Sequence, residues 1–121
     1  MLLQKLYKVT SFQSNDTTIN ASIHLNKDHE IFKGHFPDNP VMPGVCMIQI
    51  IKELTEKALN VELFMKKSSN IKFMALINPE INPDLDLELK ITKEDGLIKV
   101  KNSTKFDDTL ALKFNGNYKI V

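Results

Sequence analysis

The chain has 121 residues, of which 42% are apolar and 26% are charged, and this is enough for one domain with one hydrophobic core. Its charges nearly cancel, at 16 basic and 15 acidic residues, and every basic residue is a lysine. A groove for nucleic acid usually needs an excess of basic residues and the paired N–H donors of arginine, so the composition argues against one.

The N-terminal part predicts a β-hairpin. Residues 3–12 and 17–25 favour strands, and the polar run between them is typical of a turn. From Asn26 to Pro43 the sequence is rich in His, Gly, Asn, Asp and Pro, which interrupt any regular ladder or helix. We expect an ordered loop there.

A helix is predicted from Gly44 to about Leu59, because Pro43 is tolerated at a helix start and Lys57 suits a helix end. Its first two turns, up to Ile51, are apolar on almost every side, whereas the remainder is amphipathic. The first half of the helix must therefore be enclosed.

The rest of the chain predicts an antiparallel meander. Its strand patterns cover residues 70–77, 85–93, 98–106 and 110–120. In the last three, apolar side chains alternate with polar ones, so each strand has one dry face and one wet face. Asp95-Gly96 is a signal for a tight hairpin, and Asp107-Asp108 marks another turn.

These elements predict an α+β fold. The fold has to bury one apolar helix and the apolar faces of five to six antiparallel strands. Both are buried when the sheet curls around the helix. Since the sequence has no repeat or linker, we expect a single domain over residues 1–121. Such a sheet leaves edges and apolar area uncovered, which favours a symmetric dimer.

Several classes of protein and site are disfavoured. The longest apolar stretch, Val45 to Ile51, has seven residues and contains Gln49, whereas a membrane-spanning helix needs about 20 apolar residues. The first residues show no export leader, so we expect a cytoplasmic protein in a reducing compartment. The single cysteine, Cys46, excludes an internal disulfide, and the spacing of the three histidines offers no structural zinc site.

The loop before the helix carries the chemistry. His35 lies in a proline-stiffened segment just ahead of a helix whose first amides, near Gly44 and Val45, have no partner within the helix. Those amides attract negative charge that develops on a carbonyl oxygen, and a histidine exchanges protons near neutral pH. This combination suits the abstraction of a proton next to a thioester carbonyl.

The sequence resembles a known family at this point. The runs His35-Phe36-Pro37 and Pro40-Val41-Met42-Pro43-Gly44-Val45 are similar to the signature of β-hydroxyacyl-acyl carrier protein dehydratases of the FabA and FabZ type. The similarity continues at Ile71-Lys72-Phe73 and at residues 82–87, and it covers most of the chain from about Thr18 onward. The resemblance implies the hot-dog fold, in which a curved antiparallel sheet wraps around one long central helix.

Carried over by position, the resemblance implies that His35 removes the α-proton and that the amide of Gly44 binds the thioester carbonyl. It places Phe36, Pro43 and Val45 beside the substrate. The implied reaction removes water from a β-hydroxyacyl thioester and gives a trans-2-enoyl thioester, in biosynthesis of fatty-acid or polyene type. No metal or redox cofactor is implied.

Gln49 is the main departure from the family pattern. In the family, an acidic residue on the central helix of the other subunit helps the β-hydroxyl to leave, and that position is Gln49 here. An amide can hold a hydroxyl or a water molecule, but it cannot donate a proton as a carboxylic acid does.

Three accounts of Gln49 are open. In the first, the chain still dehydrates at a slower rate, with Gln49 orienting the hydroxyl and water or with His35 supplying the proton. In the second, Glu53 one turn further along the helix substitutes as the acid. In the third, the chain forms a heterodimer in which a partner protein supplies the acid to His35, or in which this chain is a non-catalytic scaffold. An acyl thioesterase is a further alternative, since glutamine can position a water molecule on a thioester.

The resemblance implies an acyl carrier protein with a phosphopantetheine-linked acyl chain as partner, and a homodimer or a heterodimer with a related hot-dog protein. Six lysines have two interpretations of at least equal standing: a basic rim that receives an acidic carrier protein, or a solvated charged surface. They are Lys27, Lys33, Lys52, Lys66, Lys67 and Lys72. His24 and His29 are interpreted as structural or exposed, and Cys46 as core filling.

Overall fold

The computed structural model describes residues 5–33 and 40–121, apart from the side chains of Ser68 and Ser69. The described residues form one six-stranded antiparallel sheet, one α-helix and a 3-10 helix at Glu30–Phe32. The elements are β1 (Tyr7–Ser14), β2 (Thr18–Leu25), α1 (Gly44–Leu59), β3 (Leu63–Phe73), β4 (Asp84–Glu94), β5 (Leu97–Phe106) and β6 (Thr109–Ile120). The predicted α+β class and the predicted number of strands are confirmed.

The sheet has the strand order β1-β2-β4-β5-β6-β3, so β1 and β3 are its edges. Burial alternates along β4, where Leu85, Leu87 and Leu89 are buried and the residues between them are exposed. The buried faces of the strands and of α1 form one hydrophobic core. Apolar residues recur with a period of two along the strands and 3.6 along the helix, and these periods place them on the side that faces the core. The sequence pattern therefore indicates which faces are buried.

Helix α1 has the predicted bounds. It begins after Pro43, whose backbone is extended at φ −66° and ψ 145°, and it ends where Asn60 adopts the left-handed conformation at φ 55°. Asparagine tolerates that conformation and closes the helix by donating its N–H to the carbonyl of Glu56. No helix in residues 5–33 and 40–121 is long and apolar enough to cross a bilayer.

The expected enclosure of the first two helical turns is only partly correct. Cys46, Met47, Ile50 and Ile51 are buried, but the side chain of Val45 is 74% exposed. The sheet of one chain covers a single side of the helix, so an apolar residue on the opposite side of its first turn stays uncovered.

The predicted strand at residues 70–77 was wrong in its bounds, because β3 runs from Leu63 to Phe73. Two irregularities in its pairing with β6, between Met65 and Lys67 and between Ser68 and Asn70, are β-bulges. Each bulge shifts the alternation by one residue, so the first half of β3 has no continuous period of two. The sequence pattern becomes regular only after the second bulge.

The predicted hairpins are present with small differences. Asp95 and Gly96 both have positive φ, at 52° and 79°, as the two-residue turn between β4 and β5 requires. Asp107 also has a positive φ of 53° before β6. At the N-terminal hairpin, β1 begins at Tyr7 and not at the predicted residue 3, and it extends to Ser14, beyond the predicted end at residue 12. The turn lies after Ser14 because the side-chain oxygen of Asn15 accepts from the two amides of Thr17 and Thr18.

We predict that Gly116→Ala destabilises the fold. Gly116 is buried on β6, and a Cβ there would lie 2.6 Å from Cζ of Phe114. The Phe114 ring is itself fully packed, so relief requires a shift in the core that costs about 1–3 kcal/mol. Urea denaturation measures this cost against Asn117→Ala, the next residue on the outward face, and equal stability of the two variants would contradict the prediction.

Candidate active site

The start of α1 is anchored by the segment before it. Pro40 and Met42 are buried, and the N–H of Met42 donates to the carbonyl of Ile77 at 2.8 Å. The carbonyl of Pro43 accepts from Cys46 and Met47 at 3.1 and 3.2 Å. The first turn is therefore fixed in place by backbone contacts on both sides.

Two backbone amides at this helix start are available for a ligand. Proline has no N–H, and the amide of Cys46 is already bonded to Pro43, which leaves the amides of Gly44 and Val45. Within the described part of the chain neither amide donates to an acceptor. The positive end of the helix dipole adds to their attraction for an oxygen that carries negative charge.

Gly44 lies against the end of β3. A Cβ added there would lie 3.1 Å from Cε2 of Phe73 and 3.8 Å from Cδ1 of Ile71. The absence of a side chain lets this aromatic edge approach the helix backbone. The two amides thus adjoin an apolar wall.

The predicted site residues are divided between described and undescribed parts of the chain. Pro43, Gly44 and Val45 lie together at the start of α1, and Gln49 lies five residues after Gly44, about 7.5 Å along the axis. His35 and Phe36 lie outside the described residues. Their assigned roles remain predictions.

Gln49 is part of a hydrogen-bonded network. Its Nε2 donates to Oε2 of Glu53 at 3.0 Å, one turn further along α1. The other carboxylate oxygen of Glu53, Oε1, accepts from the hydroxyl of Tyr7 at 2.6 Å. All three side chains are partly buried. Sequence reasoning had named Gln49 and Glu53, but it missed Tyr7, which lies 46 residues before Glu53 and carries no local signal.

Burial raises the pKa of the Tyr7 hydroxyl well above its usual range, and the hydrogen bond and negative charge of Glu53 raise it further. Tyr7 is therefore a hydrogen-bond donor at any physiological pH. Burial also raises the pKa of the Cys46 thiol, which suits a packing residue and not a nucleophile.

The other two histidines have structural contacts. His24 on β2 places Nδ1 2.7 Å from a carboxylate oxygen of Asp84 on the neighbouring β4. Nδ1 of His29 accepts from the amide of Ile31 at 3.1 Å and so caps the 3-10 helix.

Apolar side chains are exposed on the edge strand β3 and next to it. They are Val45 at 74%, Phe64 at 63%, Ile71 at 36%, Phe73 at 40%, Met74 at 42% and Leu76 at 67% exposed. Strand β3 pairs with β6 on one side, and within residues 5–33 and 40–121 no strand pairs with its other side. A long edge strand flanked by exposed apolar groups is typical of a surface that is covered in an assembly.

Comparison with known proteins identifies the relatives of this chain. A family model described as ApeI-like, ApeI dehydratase, matches residues 11–114. A 3-hydroxyacyl-acyl-carrier-protein dehydratase FabZ of Coxiella burnetii is 30% identical over 124 residues, which cover 93% of this chain and 83% of that protein. The resemblance seen in the sequence is thereby confirmed.

Solved structures confirm the hot-dog fold. The dehydratase heterocomplex ApeI:P of Xenorhabdus doucetiae is similar with a TM-score of 0.73 at 20% identity, covering 93% of this chain and 96% of that one. A mutant thioesterase of Pseudomonas aeruginosa is similar with a TM-score of 0.65 at 10% identity, covering 93% of this chain and 81% of that one. At these identities the likeness shows the fold alone.

We predict that both tyrosines stay protonated well above pH 10. The pKa of Tyr118 is raised to about 12 from an ordinary value of 10.0, first by burial and then by the charge of Glu56. Since the folded state keeps protons that the unfolded state loses near pH 10, this contribution to stability is complete below pH 10 and is lost as the pH rises towards 12. The chain has two tyrosines and no tryptophan, so absorbance at 295 nm reports them directly. A phenolate signal near pH 10 in folded protein would contradict the prediction.

Proposed function

The chain belongs to the ApeI-like dehydratase family, and from this membership we propose that it removes water from a β-hydroxyacyl thioester carried by an acyl carrier protein. The product is the trans-2-enoyl thioester. The observation that carries the proposal is the pair of available amides at Gly44 and Val45, next to an apolar wall and preceded by the His35 motif.

In the proposed reaction the thioester carbonyl accepts hydrogen bonds from the amides of Gly44 and Val45. His35 removes the α-proton, and the electron pair of that C–H bond moves towards the carbonyl, where the amides stabilise the negative charge. The electrons then return to form the Cα=Cβ bond as the Cβ–O bond breaks. The leaving oxygen takes a proton and departs as water, while Gln49 holds the hydroxyl. Phe36 and Pro43 are proposed to contact the acyl thioester.

The proposed working unit is a dimer joined along β3. The free edge of β3 and the exposed Phe64, Ile71 and Phe73 support this arrangement, since pairing two such edges buries both. Val45, exposed at the helix start, would be covered in the same assembly. In the family, the two subunits complete each other's sites, and we extend that arrangement to this chain. The partner is a second copy or a related hot-dog protein.

The enzymatic proposal predicts that the purified protein converts a β-hydroxyacyl thioester to the enoyl thioester, followed by absorbance of the conjugated product. His35→Ala should lower kcat by about a thousandfold, the typical contribution of a general base. His24→Ala, which removes an outward histidine paired with Asp84, is the matched control and should keep its activity.

Three outcomes would contradict this proposal. Equal activity of the protein and His35→Ala would remove His35 from the mechanism. Release of free thiol without enoyl product would favour the thioesterase. An inert protein that gains turnover in Gln49→Glu would favour a half-site subunit that needs a partner's acid.

The dimer proposal predicts a mass of about 28 kDa by light scattering, twice the 13.8 kDa of one chain. Phe64→Lys places a charge beside the free edge of β3 and should shift the mass towards the monomer. Thr10→Lys, at the opposite edge on β1, is the control and should remain dimeric. A monomeric protein before any substitution would contradict the homodimer and favour the related hot-dog partner.

A further inference from the structure

Glu53 holds Gln49 in one orientation. A carboxylate only accepts hydrogen bonds, whereas the glutamine amide has a donating NH2 group and an accepting oxygen. The contact of 3.0 Å between the Gln49 amide and Oε2 of Glu53 therefore has to use Nε2. The amide oxygen, Oε1, is the end of Gln49 that Glu53 leaves available.

Tyr7 holds Glu53 in turn. The Tyr7 hydroxyl donates to Oε1 of Glu53 at 2.6 Å, which is the distance of a strong charge-assisted hydrogen bond. Glu53 thus has one oxygen bonded to the sheet through β1 and the other bonded to Gln49 on its own helix. With both oxygens engaged, the carboxylate cannot turn towards a substrate without breaking one of these bonds.

We propose that Glu53 and Tyr7 are positioning residues that fix the Gln49 amide with Oε1 directed at the β-hydroxyl of the substrate. This inference rests on the proposed dehydration. A carbonyl oxygen accepts the hydrogen of that hydroxyl and supplies no proton. The proton that completes the departing water is the α-proton, which the His35 imidazolium returns to the leaving oxygen, so that no net proton is taken up or released.

The proposal makes Glu53 an anchor for Gln49 and not the acid that replaces it. As an anchor, Glu53 needs an oxygen that accepts from Gln49, and the side chain of glutamine at position 53 still provides one. As an acid, Glu53 needs an ionisable proton, which glutamine does not have. The two roles therefore differ in what Glu53→Gln does to the rate.

We expect Glu53→Ala to lower kcat about tenfold, with KM changed by less than about twofold, because the amide loses its orientation and not its contact surface. Glu53→Gln should retain kcat within about threefold of the unsubstituted protein. Tyr7→Phe should lower the kcat of the unsubstituted protein by about threefold. Glu56→Gln is the helix control, since Glu56 bonds the amide of Leu63 elsewhere in the fold. Tyr118→Phe is the tyrosine control, because its buried hydroxyl has no partner among the described residues.

A kcat in Glu53→Gln as low as that in Glu53→Ala would overturn the proposal and make Glu53 the acid. Unchanged kcat in Glu53→Ala would overturn it as well. The kcat values of Glu53→Ala and Glu53→Gln are compared only if the melting temperatures of these variants lie within a few degrees of those of the controls Glu56→Gln and Tyr118→Phe.

A second measurement is independent of turnover. The side-chain NH2 signals of Gln49, one of three glutamines in the chain, are identified by their loss in Gln49→Glu and followed by hydrogen exchange in ¹⁵N spectra. Exchange should be slower for Gln49 than for the exposed Gln13, and it should rise to the Gln13 rate in Glu53→Ala. Equal exchange before and after this substitution would overturn the anchoring. An inactive protein with a protected Gln49 amide would reject the dehydration and retain the anchoring.

Discussion

One constraint organises this molecule: a helix whose first two turns are apolar on almost every side has to be covered by a single sheet. The sheet covers Met47, Ile50 and Leu54 completely, but Val45 in the first turn remains 74% exposed. The uncovered part of the helix lies next to the end of β3, where Phe73 contacts Gly44. The helix start, with its two available amides, is therefore the place where the burial provided by one chain ends.

That coincidence matters for chemistry. Negative charge on a carbonyl oxygen is stabilised best by fixed N–H groups in surroundings that exclude water. The amides of Gly44 and Val45 are fixed by the bonds of Met42 and Pro43, and the apolar groups of β3 stand beside them. A second subunit that covers the exposed apolar groups would also exclude water from the amides of Gly44 and Val45. Assembly and catalysis would then share one requirement, which is the burial of the same surface.

The sequence predicted those features that depend on neighbours in the chain. The bounds of α1 follow from Pro43 at its start and Lys57 near its end, and the β4–β5 turn follows from Asp95-Gly96. It failed where the determinant is distant or irregular. The two bulges of β3 break the alternation that a pattern search relies on. The bond between Tyr7 and Glu53 joins residues 46 positions apart, so no local pattern at either residue could reveal it.

The glutamine at position 49 and the glutamate at position 53 form one feature. They are one helical turn apart, so their side chains meet on the same face of α1. A glutamate at position 49 would set two carboxylates within hydrogen-bonding distance, and like charges so close raise the pKa of one of them. Glutamine removes that repulsion and gives Glu53 a donor in place of a second acceptor. With Tyr7 supplying the other donor, the carboxylate of Glu53 is satisfied at both oxygens. The residues at positions 49 and 53 are therefore explained together by their contact with each other and with Tyr7, which position 49 alone would not reveal.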